Sequence, residues 1–108
     1  MFGWFRRKSG NLHHDVARLA ALLRELEGRL RDGGARHWAD QVARCADIVE
    51  RSDAHGVDRF LSLFGGMGSL NDFILHRDGV PLVDENTELH RLLSEAFELA
   101  STLQSERR

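Results

Sequence analysis

Chemistry is most plausible in the stretch Leu63-Phe64-Gly65-Gly66-Met67-Gly68-Ser69-Leu70-Asn71-Asp72. Three glycines in four positions are conformationally expensive and need a reason. One reason is anion capture, because consecutive glycine amides can converge on a phosphate. The pattern Gly-x-x-x-x-Gly-Lys-Ser/Thr is missing, however, and the sole lysine is Lys8. A turning role weighs more: Gly65 stops a helix at positive φ, Gly66 and Gly68 let the chain bend, and Ser69, Asn71 and Asp72 bond to the freed amides. Gly66-Met67-Gly68-Ser69-Leu70 is also not Gly-x-Ser-x-Gly, so Ser69 reads as a turn or cap residue and not as a nucleophile. These residues, Met67 included, are expected to form a structural turn or a partner contact.

Six histidines, His13, His14, His37, His55, His76 and His90, invite a metal. No His-Glu-x-x-His or other paired His at i and i+4 is present, and the single cysteine offers no thiolate cluster. Asp72 with His76, and His37 with Asp40, read as ordinary polar neighbours. Cys45 falls on an apolar helical stripe, where a thiol behaves as a small hydrophobe. No catalytic residue, metal site or cofactor is expected.

The elements that must position these residues follow from apolar spacing. Leu12, Val16, Leu19, Leu23, Leu26 and Leu30 form one helical stripe, predicting a helix over about 12–32 with Asn11 as cap and Gly33-Gly34 as stop. Gly28 lies mid-helix and suggests a close contact. Trp38, Val42, Cys45 and Val49 predict a second helix over about 35–52, antiparallel to the first. A shorter helix starting at Gly56 or Asp58 is expected to carry Phe60, Leu61, Leu63 and Phe64 and to end at Gly65. Leu89, Leu92, Leu93, Ala96, Ala100 and Leu103 share a face of a final helix from Thr87 to Leu103, capped by Asp84 or Asn86. Between them, Asp78-Gly79 separates two apolar runs, which favours a short β-hairpin near residues 72–83 over a helical turn, with Pro81 on an edge. The expected fold is mainly α: a small antiparallel bundle of about four helices with that hairpin.

The chain has 108 residues, 42% hydrophobic and 30% charged. This suits one globular domain, taken as residues 11–108 after an aromatic and basic segment, 1–10. A net charge of −2 offers no field for nucleic acid. No apolar run approaches the length of a spanning helix, and Phe2, Trp4 and Phe5 precede Arg6, Arg7 and Lys8, the reverse of a secretory signal. A cytoplasmic address without stable membrane insertion is expected.

The motif Phe64-Gly-Gly-Met-Gly-Ser-Leu-Asn-Asp72, followed by an apolar stretch and an acidic-start terminal helix, resembles a family of small uncharacterised bacterial proteins, a domain of unknown function. The resemblance implies a role as an immunity partner of a toxin and supplies no catalytic residues. On the last helix Glu88, Arg91, Glu95 and Glu98 lie opposite the leucines, and from Asp84 to Glu106 six acids face one base. That pattern is either a solvated face with Arg91 paired to Glu88 or Glu95, or an acidic recognition surface of Glu88, Glu95 and Glu98 able to occlude a basic active site. The sequence therefore predicts a small non-catalytic protein-interaction domain with a protein partner, and the seam from Leu12 to Leu30 also suits a homodimer. The alternative is a small-ligand or metal-binding protein using the glycine turn and nearby His76.

Overall fold

The computed structural model describes residues 12–65 and 68–106. The 1–10 segment, the Asn11 cap, Gly66 and Met67 lie outside the described residues. The described chain runs α1 (Leu12–Asp32), α2 (Arg36–Glu50), α3 (His55–Leu61), a 3₁₀ turn (Leu70–Asp72), β1 (His76–Arg77), β2 (Val80–Pro81) and α4 (Val83–Glu106). It is a mainly α bundle with a short antiparallel hairpin, as the apolar periods predict.

Helix α1 buries Val16, Leu19, Leu23, Leu26 and Leu30, while Leu12 is half-buried at its start. Its end satisfies the last carbonyls in two steps. Gly34, at φ +83°, donates to Arg31 O over 3.0 Å and Ala35 donates to Leu30 O over 2.8 Å. Helix α2 turns back along α1 and closes its own end in the same way, but with Ser52 at φ 58° in the left-handed position where no glycine marks it. The Asp53 carboxylate accepts the His55 amide at 2.9 Å and so starts α3.

Each helix packs on two others: α1 on α2 and α4, and α3 on α2 and α4. Helix α3 is only seven residues long, ending at Leu61 and not at Gly65. Leu63 and Phe64 therefore leave the helix, and the described residues between α3 and β1 carry the short 3₁₀ turn Leu70–Asp72. Leu70 of this corner is fully buried, and Phe73 meets Trp38 of α2 with ring centroids 6.4 Å apart.

Close backbone approach occurs at Gly56, not Gly28. A Cβ on Gly56 would lie 2.7 Å from Val49 Cγ2 and 2.8 Å from the Val49 amide nitrogen, whereas one on Gly28 would meet nothing within 4 Å. Gly28 faces solvent, and the expected contact there is not formed.

The hairpin pairs His76 with Pro81 and Arg77 with Val80. Asp78 and Gly79, at φ 54° and 80°, make the mirror-image turn whose twist suits two joined strands. With two strands, Pro81 sits on an edge. Helix α4 begins at Val83, before the predicted caps, so Asp84 and Asn86 both lie in its first turn. Asn86 is buried and acts between elements: its Oδ1 accepts the Leu75 amide at 2.7 Å and its Nδ2 donates to Leu75 O at 3.1 Å. One side chain thus binds the residue just before β1 to α4.

Candidate functional site

The side chains on α4 divide by a helical count. Leu89, Leu92, Ala96, Ala100 and Leu103 point to the core. On one flank, Glu88 and Glu95 meet α1. Glu88 pairs with Arg91 at 2.6 Å and approaches Arg29 at 3.7 Å, while Glu95 pairs with Arg91 at 2.8 Å and with Arg18. Hydrogen bonding to Arg91 holds the Glu88 carboxyl below its ordinary range, and the same contact raises the Arg91 guanidinium. The expected acidic surface is therefore largely neutralised by arginines of α1 and α4, and Glu98 is its exposed remainder.

A similar arginine-centred cluster joins α1 to α2. Arg24 bonds Glu50 at 2.8 Å, Asp47 at 2.6 Å and Glu27 at 3.0 Å, and Glu27 also takes Arg31 at 2.8 Å. These bonds depress the Glu27 and Glu50 carboxyls and raise Arg24.

The other flank of α4 carries no charge. His90, Leu93, Ser94 and Phe97 face Phe64, Gly65 and Asn71 of the corner across a pocket of about 560 Å³. Phe64 and Phe97 stack with centroids 4.8 Å apart and planes tilted by 58°, and Phe64 in turn meets Phe60 edge-on at 5.1 Å. Phe97 nevertheless remains 39% exposed. Past the end of α3 at Leu61, Gly65 at φ +92° turns the chain at the pocket's lining.

Corner hydrogen bonds shape the rim. Asn71 Oδ1 accepts from the Gly65 amide at 3.4 Å and from Ser69 Oγ, while Leu70 donates its amide to Leu63 O at 2.9 Å. Gly68, at φ +78°, supplies the second left-handed position. His90 Nε2 lies 3.2 Å from Phe73 O.

Of the residues singled out in the sequence, Gly65 and Asn71 line the pocket; Gly68, Ser69 and Asp72 belong to the turn beside it. His76 sits exposed on β1, with Nδ1 2.9 Å from Ile74 O, so the histidine that joins Gly65 and Asn71 is His90. The sequence pattern marks neither Ser94 nor Phe97 as a site residue, and His90 stands there only as one of six histidines. The available signal was Phe97, a large apolar side chain set off the leucine stripe of α4. Among the described residues no group of three His, Cys, Asp or Glu is gathered as for a metal ion. Cys45 is fully buried, and burial pushes its thiol up to about 11, a packing residue and not an activated nucleophile. No helix of the described residues is long and apolar enough to cross a membrane.

No curated protein and no solved structure matches the chain. Residues 31–83, from the end of α1 through α2, α3, the glycine corner and the hairpin to the first residue of α4, match a protein family described as a domain of unknown function, DUF6966.

Proposed function

We propose that the protein is a small non-catalytic interaction domain that docks a partner protein in the groove between the glycine corner and α4. The observation that supports this most is the uncharged groove with Phe97 partly exposed at its edge, on the flank of α4 away from the ion pairs with α1. An aromatic anchor pocket of this kind is where binding energy concentrates at protein interfaces. An uncharged lining selects an uncharged projecting side chain, because a charge placed there would lose its water without gaining a counter-ion.

The most concrete version is a bacterial immunity protein acting in the cytoplasm on a toxin encoded beside it. Calorimetry of the purified chain with the product of the adjacent gene is expected to show nanomolar binding, weakened at least about tenfold by Phe97→Asp. Absence of binding, with the toxicity of every adjacent product unchanged, overturns that version. The volume of the pocket lies within the range of small-molecule sites and favours the alternative, a ligand-binding protein using Gly65, Asn71 and a histidine. Tight binding of a free small molecule, with no protein partner, would establish that alternative instead.

A further inference from the structure

We propose that Asp78 is a site of self-modification: its side-chain carboxyl closes on the Gly79 amide and leaves isoaspartate in the hairpin turn. The chain's other Asp-Gly pair, Asp32-Gly33, stays aspartate in the folded protein. The docking groove plays no part in this.

The reaction needs an aspartate followed by a residue whose amide nitrogen can be reached. Glycine suits it best, having no Cβ to crowd that nitrogen. The Gly79 nitrogen bonds to Asp78 Cγ, and the carboxyl loses one oxygen as water, with hydrogens drawn from the amide and the acid. Water then reopens the cyclic imide. Breaking the nitrogen's bond to Cγ restores aspartate, whereas breaking its bond to the Asp78 carbonyl carbon gives isoaspartate, with the chain running through Cβ and Cγ. No oxidant, metal or second protein is consumed.

The fold treats the two pairs differently. Asp32 is the last residue of α1, the Gly33 amide donates to Arg29 O at 3.1 Å, and a Cβ on Gly33 would lie 2.5 Å from Leu75 Cδ2. That backbone is held on both sides. Residues 76–81 are all exposed, a Cβ on Gly79 would meet nothing within 4 Å, and among the described residues the Gly79 amide has no acceptor. Ring closure requires Asp78 to rotate out of its turn conformation, and little opposes this. At φ 54° Asp78 occupies a left-handed conformation that is costly without glycine, so opening relieves strain. Only two residues pair on each strand, and so short a hairpin opens locally at small cost.

Isoaspartate adds a methylene to the backbone of a two-residue turn whose geometry sets the register. The pairings of Arg77 with Val80 and of His76 with Pro81 are then lost, while the bonds between Leu75 and Asn86, outside the turn, remain. Modification releases the tip of the hairpin and leaves its base on α4.

The test is prolonged incubation of the purified full-length chain at physiological pH and temperature. Isoaspartate is counted with an isoaspartyl methyltransferase and labelled S-adenosylmethionine, and located by electron-transfer fragmentation, which separates the two isomers at equal mass. Label is expected at position 78 with position 32 unchanged. In urea, where the fold no longer holds Asp32, both positions should gain it. Asp78→Asn keeps a residue suited to this turn and closes the same imide by losing ammonia, so it should raise the label. Asp78→Glu would have to close a larger ring and should lose the label at 78 in buffer and in urea alike, whatever it does to the hairpin. In the modified fraction the Arg77 and Val80 amide resonances should shift while that of Leu75 keeps its place. No label at 78 in buffer, equal label at 32, or label retained by Asp78→Glu overturns the modification site; unshifted Arg77 and Val80 resonances overturn the release of the hairpin.

Discussion

Helix α4 presents two flanks of opposite character, although both are built from the same run of sequence. Toward α1, Glu88 and Glu95 are drawn into pairs with Arg18, Arg29 and Arg91. Toward the glycine corner, His90, Ser94 and Phe97 line a cavity without a charged group. The flank that looks like a recognition surface in the sequence pairs Glu88 and Glu95 with arginines while staying partly exposed, and the flank that looks unremarkable carries the pocket. Charge shows where the chain can be solvated; an unfilled apolar wall shows where another molecule can gain contacts.

That contrast can be broken most severely at Asn86, which holds the hairpin entry on α4. Asn86→Ala leaves the Leu75 amide and carbonyl without their side-chain partner in a buried place, and is expected to cost about 1–3 kcal/mol in urea unfolding. Hydrogen exchange at the Leu75 amide should accelerate together with it. Unchanged exchange would mean that the corner is held by packing alone.

Phe97→Ala sharpens the comparison, because the ring is on the open flank and partly solvated. It is expected to cost at most about 1–1.5 kcal/mol of stability, against the roughly 3–5 kcal/mol of emptying a fully buried position such as Phe60. A loss as large as that of Phe60→Ala would place Phe97 in the core energetics and remove its case as a docking residue.

Gly28→Ala is the control on the exposed side of α1. With open space at its Cβ, it should raise stability by about 0.5–1 kcal/mol in thermal unfolding. Destabilisation there would reveal a contact that the helix does not show.

The smallest effect is expected on the charged flank. Glu95→Gln should lower the melting temperature slightly in dilute buffer, and the difference should vanish in roughly molar salt, since exposed pairs are screened. The sign with pH follows from the depressed carboxyls of Glu27, Glu50 and Glu88. Their contribution is fully present above the ordinary carboxylate value of 4.5 and is lost as pH falls through the lower folded-state values. Stability rising on acidification through this window would contradict the pairing.

Much of the frame is legible in spacing. The leucines of α1, the stripe of α2 through Cys45 and the face of α4 all follow from apolar residues recurring at helical intervals, and Asp78-Gly79 marks the hairpin turn because both residues tolerate positive φ. The corner is legible only in part. Its glycines announce a turn, but Leu63 and Phe64 also fit a continued α3, and no local rule separates a helix end at Leu61 from one at Gly65. Ser52 shows the same difficulty, since it closes α2 in a conformation that glycine usually marks. Asn86 looks like a cap in the sequence because its type suits caps, yet burial turns it into a clamp.

The periodic placement of apolar side chains by itself determined which segments are helices and which face each buries, since that burial is favourable whatever the neighbours. Only the tertiary structure decided which charges are consumed in pairs and where a wall is left uncovered. Both depend on distances between residues far apart in the chain, such as Arg18 and Glu95 or Phe64 and Phe97.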